Sequence, residues 1–518
     1  MKEPRRKALT MRDLPSPLPT TVVRRNGPAA PRRTADVDWN TSNKFLNGPF
    51  APWQEETESF DLPVIGKLPD DLAGALFRVA NNPRFEPLDT DRYHWWEGDG
   101  GVAGTYIRDG KASFRMKWVN TDSMKVEVEA GEALYSGFVN GSGKARRDLP
   151  QGAPPAKSVA NTNVGLFADH LLVYFEGGLP HSMHPESLDT QGIFDFGGAI
   201  DILCTAHYKI DPATGNMLFY AAVGPSLTWY EADPTGSVTD TFSFDMGCPA
   251  MVHDYIVSEH LAIFLISPNQ FRLDRIMEGR PGVLWDETAV PGGSRFAVLD
   301  RRTHEVTWYD TGLMLAPTHF FNAHETPTGI VVDLHVIARL GNPADDSDEP
   351  LDSHSWFPPA MAWRFVLDAA TKTTTQQMHS GIAGEFPKIN DAWLGKENRF
   401  GYFTTTRNLS PLTMTDGLAR HDFSTGQTIV LEGPDGLTSP SEPVFVQRRG
   451  GTEENDGYLL TIWWNPATGL SELLVHEASA FVREPLARVK LPVRVPFAFH
   501  GSWAEAEVLD AAVAAQSE

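Results

Sequence analysis

Four histidines stand where a histidine needs explaining. His207 in "DILCTAHYKID", His253 in "CPAMVHDYIVSEH", His319 in "LAPTHFFNAHE" and His500 in "LPVRVPFAFHGSW" each end or interrupt an apolar or small-residue stretch close to a turn. A buried neutral imidazole has two ordinary uses: it donates to a backbone carbonyl, or it offers a lone pair to a metal ion. The chain holds 16 histidines, and for any one of them the first use is the default. His181 and His184 in "LPHSMHPES" lie in a polar, turn-like stretch, and His354 in "LDSHSWFPP" lies in a loop. His324, a few residues beyond His319, is the serious rival for the third position. The four are far apart in sequence, so a metal site requires a fold that gathers distant segments at one point.

The pattern after about residue 60 supplies such a fold. Short alternating segments are bounded by Gly, Pro, Asp and Asn, with few windows of helical period, which predicts a mostly β chain. One hairpin recurs: an apolar strand, Asp or Asn, two residues, Thr, a small or polar residue, then another strand. It is seen in "YKIDPATGNMLFY", "AVLDRRTHEVTWY", "RFVLDAATKTTTQQ", "ARHDFSTGQTIVL" and "WWNPATGLSELLV". The Asp or Asn side chain caps the turn and Gly accepts the positive φ that closes it. The turns begin at Asp211, Asp300, Asp368, Asp422 and Asn465, spaced about 40 to 90 residues apart, as the blades of a β-propeller would be. A large β-sandwich with common hairpins is the alternative. In a propeller, residues at the inner ends of different blades meet on the axis, and distance along the chain ceases to matter. Helical stretches such as "RLDRIMEGRP" from Arg272 read as insertions capping one face.

Composition removes several function classes. The formal net charge is −23, and the cationic clusters lie mainly in the first 40 residues, so the body of the chain repels nucleic-acid phosphates. An anionic membrane is equally disfavoured as an electrostatic target, leaving weak peripheral contact through an apolar patch as the most to expect. No run approaches the ~18 apolar residues of a membrane span. Two cysteines, Cys204 and Cys248, encode no disulfide framework and suit a reducing, cytoplasmic setting. Residues 1–40 read as a basic, Pro-rich mobile arm, 41–506 as one propeller domain with cap insertions, and 507–518 as a flexible tail.

Read in order, the motifs "GPFAPWQEE", "NNPRFEP", "HWWEGDGGV", "DGKASF", "ANTNV", "EGGLP", "TAHYKIDPATGNM", "MVHDYIVSE", "HFFNAHE", "GEFPKIN", "SEPVFV" and "FHGSW" resemble those of the carotenoid cleavage oxygenase family, from about residue 47 to about 505. The family also contains stilbene-cleaving enzymes and a retinoid isomerase. The resemblance implies a seven-bladed β-propeller, a cap over one face, and one Fe(2+) per chain on the axis. It maps the iron ligands onto His207, His253, His319 and His500, with His319 preferred to His324 because the family's third ligand precedes the segment Asn322 to Glu325. Four imidazoles leave the iron its full charge, unlike two histidines with a carboxylate. Glutamates that accept the second ring proton of the ligands map onto Glu176, Glu385 and Glu442, each set in an apolar strand where an unpaired carboxylate would be costly.

The reaction so implied joins a lipophilic alkene and O2 into two carbonyl products, with both electrons drawn from the alkene. Trp96, Phe138 and Phe175 are the expected substrate-pocket residues. Stilbene cleavers of the family resemble one another in holding a phenol with a Tyr and a Lys, and here those positions are Phe138 and Phe175. The pair therefore implies a carotenoid or apocarotenoid, with Tyr135 or Tyr174 as the residues that would meet a phenol in a shifted pose. A stilbene or phenylpropenoid substrate is the alternative, and a ligand-binding propeller without catalysis a further one. "GDGGVAG" from Gly98 is no nucleotide fingerprint, since it lacks the strand-to-helix context. Gly101 replaces the family's usual Met and is expected to widen a local space.

Overall fold

The computed structural model describes residues 23–25, 39, 42–141, 149–343, 359–407 and 413–516. Blade I is ordered, from rim to axis, Thr57–Ser59, Lys111–Trp118, Asp99–Arg108, Gly74–Asn82 and Gly501–Glu505. Blade II runs from Asn163–Phe167 at the axis through His170–Tyr174 and His181–Met183 to Thr190–Ile193. Blade III is Lys209–Ile210, Met217–Val223, Ser226–Ala232 and Val238–Asp245, and blade IV is Ile256–Val257, Leu261–Ile266, Arg295–Asp300 and Val306–Asp310. Blades V and VI share one continuous strand, Thr374–Lys388, which joins Ala316–Thr326, Gly329–Ile337 and Met361–Asp368 to Phe400–Thr405, Gly417–Asp422 and Gln427–Leu431. Blade VII is Val444–Gln447, Gly457–Asn465, Leu470–Glu477, Ala487–Lys490 and, at its rim, Val64–Gly66.

The ring is closed twice. Val64–Gly66 from the start of the chain pairs with Ala487–Lys490, and Gly501–Glu505 from its end pairs with Gly74–Asn82. Seven apolar clusters fill the seven seams between neighbouring blades, from Leu76 and Phe114 against Leu460 and Val489 at the closure, round to Phe321 against Phe403 between blades V and VI. A sandwich has one interface between two sheets, so this arrangement excludes it. The strands follow the side-chain period: Lys111–Trp118 alternates between core and solvent, while Gly74–Asn82 is buried throughout.

All five recurrent hairpins form as read. The carboxylate or amide oxygen of Asp211, Asp300, Asp368, Asp422 and Asn465 accepts a backbone N–H two residues on, at 2.9–3.0 Å. The positive-φ position is Gly in three of them (Gly215, Gly426, Gly469) and His304 or Lys372 in the others. The side-chain cap thus fixes the turn well enough to hold a residue with a Cβ in the left-handed region.

The cap contains a small sheet of Asn269–Phe271, Val283–Trp285 and Asn342–Pro343, the short helix Leu273–Met277 where an insertion was expected, and the helix Asp122–Ala130. The end of the chain departs from expectation. Residues 507–518 do not form a flexible tail over their described length, because Ala506–Ala515 is a helix of strong helix formers whose Ala506, Leu509 and Ala512 are buried, Leu509 in the seam between blades I and II. Arg108 also pairs with Asp510, with Nη1 3.1 Å from Oδ2. Within the basic arm, the described Val23–Arg25 lies parallel to Thr57–Ser59 at the rim of blade I. Gly101 opens no space, since a Cβ there would lie 3.2 Å from the Trp53 ring, which occupies the position. Cys204 and Cys248 are buried and unpaired.

Candidate metal centre

Each blade sends one group to the same end of the axis. His207 precedes the inner strand of blade III and His253 that of blade IV; His319 lies in the first turn of the inner strand of blade V, and His500 immediately precedes the closing strand of blade I. Glu176 follows the second strand of blade II, Glu385 lies on the shared strand where it becomes the inner strand of blade VI, and Glu442 precedes the inner strand of blade VII. The inner strands run in one direction, so their first residues converge.

The donor atoms of His207, His253 and His319 lie within 4.8 Å of one another. The His500 ring centroid is 4.6 Å from that of His207 and 4.8 Å from that of His319. Three rings are aimed by carboxylates behind them: Glu176 touches Nδ1 of His253, Glu385 lies 2.5 Å from Nδ1 of His319, and Glu442 lies 2.8 Å from Nδ1 of His500. Nε2 of each is thereby left facing the axis, where His253 and His319 Nε2 approach to 3.2 Å. His207 has no glutamate of its own; its Nε2 is 3.6 Å from Glu176 and its Nδ1 is 3.8 Å from Asp254. Nε2 of His207 and of His500 are buried without a hydrogen-bond partner. Buried imidazole nitrogens normally find partners, so converging orphans fit a cation.

The electrostatics favour neutral His207 and His500 and charged Glu385 and Glu442. Burial, reinforced by the neighbouring histidines, holds His207 well below the usual range, and burial takes His500 to about 4 against the opposing pull of Glu442. Burial opposes the charge on His253, yet Glu176 with Asp254 and Glu385 raises its pKa. Burial disfavours the charge on Glu385, yet His319 draws its carboxyl down to about 2. Glu442 is held lower still: burial opposes its charge, and Lys388, His500 and Arg78 overcome it.

The surroundings of these groups contain residues that sequence reasoning missed. Arg78 Nη1 lies 3.4 Å from Glu442 Oε2, and Lys388 Nζ lies 3.3 Å from Oε1. Gly501 N–H donates to the same carboxylate at 2.9 Å. Gly501 is a point of close approach, where a Cβ would come 2.5 Å from the Phe77 carbonyl oxygen. Phe386 has φ of 57°, a left-handed kink that lets consecutive side chains of one strand face the same way, so Glu385 and Phe386 both meet His319. Arg78 signals itself as a lone charge in the buried strand "GALFRVANN", and Asp254 as the neighbour of a candidate ligand.

The other histidines fall away. His324 is half-buried in the field of Asp333, Glu397 and Arg364, several residues along the strand from the axis. His184 Nδ1 accepts the N–H groups of Glu186 and Ser187 in a turn, His181 is buried in blade II, and His354 lies outside the described residues.

A cavity of about 400 Å³ opens from His253, His319, Glu176 and Glu385 into the cap. Trp96, Phe138 and Phe175 all line it, with Phe138 and Phe175 ring centroids 5.9 Å apart. Its outer lining includes the exposed Ile202, Val223, Phe271 and Leu273, the last two at the start of the expected insertion. Among the described residues no helix is long and apolar enough to cross a membrane.

The profile of the retinal pigment epithelial membrane protein family, RPE65, matches residues 50–505. Resveratrol cleavage oxygenase 1 of Aspergillus fumigatus is 31% identical over 494 residues, covering 89% of this chain and 95% of its own. Carotenoid 9,10(9',10')-cleavage dioxygenase 1 of Pisum sativum is 30% identical, covering 89% and 90%. The crystal structure of a lignostilbene dioxygenase of Pseudomonas brassicacearum superposes with a TM-score of 0.80 at 27% identity, covering 90% of this chain and 99% of that one. With this match over nearly all of the propeller, and a histidine cluster on its axis, the chain belongs to the RPE65 and carotenoid cleavage oxygenase family of non-haem iron enzymes, which cleave double bonds of carotenoids, apocarotenoids and stilbenes.

Proposed function

We propose that this protein cleaves a carbon–carbon double bond of a carotenoid or apocarotenoid with O2, at one Fe(2+) held by His207, His253, His319 and His500. The iron supplies the one-electron chemistry that lets triplet dioxygen react with an alkene. The protein's own part is arrangement. Burial keeps His207 and His500 unprotonated, so their lone pairs are available at neutral pH. Glu176, Glu385 and Glu442 accept at Nδ1, fix the ring planes and offset the charge of a dication among four neutral ligands. The aromatic cavity excludes water and holds a flat, rigid chain against the centre. Oxygen adds across the double bond, two carbonyl products leave, and no external reductant is consumed.

The observation that carries the substrate is the pair Phe138 and Phe175. A phenol facing two phenyl rings would be buried without partners, at a cost of about 1–3 kcal/mol. The tyrosines offer no substitute: Tyr135 and Tyr174 are absent from the lining, their hydroxyls directed to Pro154 O and Met217 Sδ. Tyr220 lines the cavity but donates to the Val252 carbonyl at 2.8 Å. Cleavage of a stilbene or phenylpropenoid is the second reading, favoured by relatives named as resveratrol, lignostilbene and isoeugenol oxygenases.

The test is to incubate iron-loaded protein in air with an apocarotenal, a C40 carotenoid, resveratrol and isoeugenol, and to identify products by mass. Polyene cleavage to two carbonyl fragments is expected; hydroxybenzaldehydes with intact polyenes would move the assignment to the second reading. Alanine at any of the four histidines should abolish iron content and oxygen uptake, whereas His324→Ala should retain both. A ligand position whose alanine variant keeps wild-type iron and turnover is wrongly assigned.

A further inference from the structure

Three of the four histidine-bearing segments meet at one carboxylate. Asp254 follows His253 in blade IV and is 2% exposed. Its Oδ1 accepts from Lys209 Nζ at 2.9 Å, and Lys209 stands two residues beyond His207 in blade III. Its Oδ2 accepts the backbone N–H of Phe320 at 3.0 Å, and Phe320 is the residue after His319 in blade V. Oδ1 also takes the Tyr255 N–H at 2.8 Å and lies 3.8 Å from His207 Nδ1. The segments so tied carry His207, His253 and His319, the three whose donor atoms lie within 4.8 Å of one another.

We propose that Asp254 is a positioning residue for the metal centre: through Lys209 and the Phe320 N–H it locks blades III, IV and V in the register that makes their three imidazoles converge. The inference rests on the metal reading above. Ligand rings in a site of this kind must be placed to a fraction of an ångström, and the hydrogen bonds behind the ligands commonly set metal affinity. Among the described residues no glutamate lies within hydrogen-bond distance of His207, and Asp254 reaches its segment through Lys209, two residues on.

Blade V contains a comparison. Asp333 is equally buried and fully paired, with Arg364 at 2.8 and 2.7 Å and His379 at 2.7 Å, but its side chain reaches none of the four histidine positions. If Asp254 is merely another buried ion pair, the two should behave alike.

The experiment titrates metal-free protein with Co(II), reading affinity and the visible ligand-field spectrum, alongside thermal unfolding. Asp254→Asn keeps an acceptor for the Phe320 N–H and loses the charge toward Lys209. It should weaken Co(II) binding by about 10–100-fold and shift the spectrum, while Asp333→Asn lowers thermal stability and leaves both metal readouts at wild type. Lys209→Met, which leaves Asp254 itself in place, should give the same spectral shift with weakening near the low end of that range, and decides the matter if Asp254→Asn does not fold. Wild-type affinity and spectrum in the folded variants would overturn the role of Asp254, as would equal weakening by Asp333→Asn. The metal reading is tested separately: if the unaltered chain takes up no Co(II), or His207→Ala and His319→Ala bind as well as it does, that reading falls and this one with it.

Discussion

Glu176, Glu385 and Glu442 face similar imidazoles from different environments. Glu442 is 1% exposed and gathers His500, Lys388, Arg78 and the Gly501 N–H around one carboxylate. Glu385 accepts from His319 and the Phe386 N–H, and Glu176, partly open to the cavity, meets His253 with no lysine or arginine paired to it among the described residues. Replacement by Gln should therefore be graded, with Glu442→Gln losing iron affinity toward the upper end of a 10–100-fold range and Glu176→Gln toward the lower. Equal losses in all three would contradict the ordering. His335 is fully buried between Phe321 and Phe403 with both ring nitrogens unpartnered, and burial lowers it to about 4. The unfolded chain takes up this proton first, near pH 6.5, so the stability tied to the neutral ring is complete above that pH and is lost as pH falls toward 4, on the order of 3 kcal/mol. His335→Leu should flatten the fall in melting temperature between pH 6.5 and 4, and an unchanged slope would show that the ring is not the source. The four axial histidines were legible because an imidazole interrupting an apolar run is conspicuous. Lys388 was not, because an isolated charge is usually a solvated one and only the fold shows that it is enclosed; Arg78 and Asp254 stood in telling contexts, but nothing local named the groups they would meet.

Among the elements, the hairpins were the most legible, since a capping Asp or Asn and its turn form a local code that tertiary structure leaves intact. Their uneven spacing has a structural cause. The Asp211 turn joins the first and second strands of its blade, the Asn465 turn the second and third, and the Asp300, Asp368 and Asp422 turns the third and fourth. The C-terminal helix was missed because "AEVLDAAVAA" was read as a terminus and not for its period. Ala506, Leu509 and Ala512 are buried and lie three apart on one face, and Leu509 packs in the cluster that holds Ala75 and Phe77. Leu509→Ala should lower stability by about 2–3 kcal/mol in equilibrium denaturation. A change below about 0.5 kcal/mol, the range of ordinary surface substitutions, would mean the helix is dispensable to the fold.

At the scale of the whole molecule, the propeller was legible as a class but its closure was not. Nothing local in "LPVIGK" or "FHGSW" says that one segment completes the rim of blade VII and the other the axis of blade I. Those pairings are set by which edges remain open once the intervening blades have formed. The site inherits this order of events: His500 stands at the junction that closes last in sequence, and the Glu442 behind it draws on blades I, VI and VII together. Metal affinity and ring closure are therefore linked, because whatever binds the assembled set of histidines binds only the closed ring.

The strand Thr374–Lys388 carries a different consequence. It begins at the rim of blade V, paired with Met361–Asp368, and ends at the axis of blade VI as the bearer of Glu385 and Lys388. Two sheets that share a single ribbon of backbone cannot open independently, since fraying at one end withdraws hydrogen-bonding partners from both. In hydrogen-exchange terms, the amides of Gln376 or Gln377, far out on the surface, should share an opening free energy with those of Glu385 beside the imidazoles, and binding at the axis should slow exchange at the rim. On that expectation, opening of this half of the molecule runs radially, from solvent to centre, rather than around the ring.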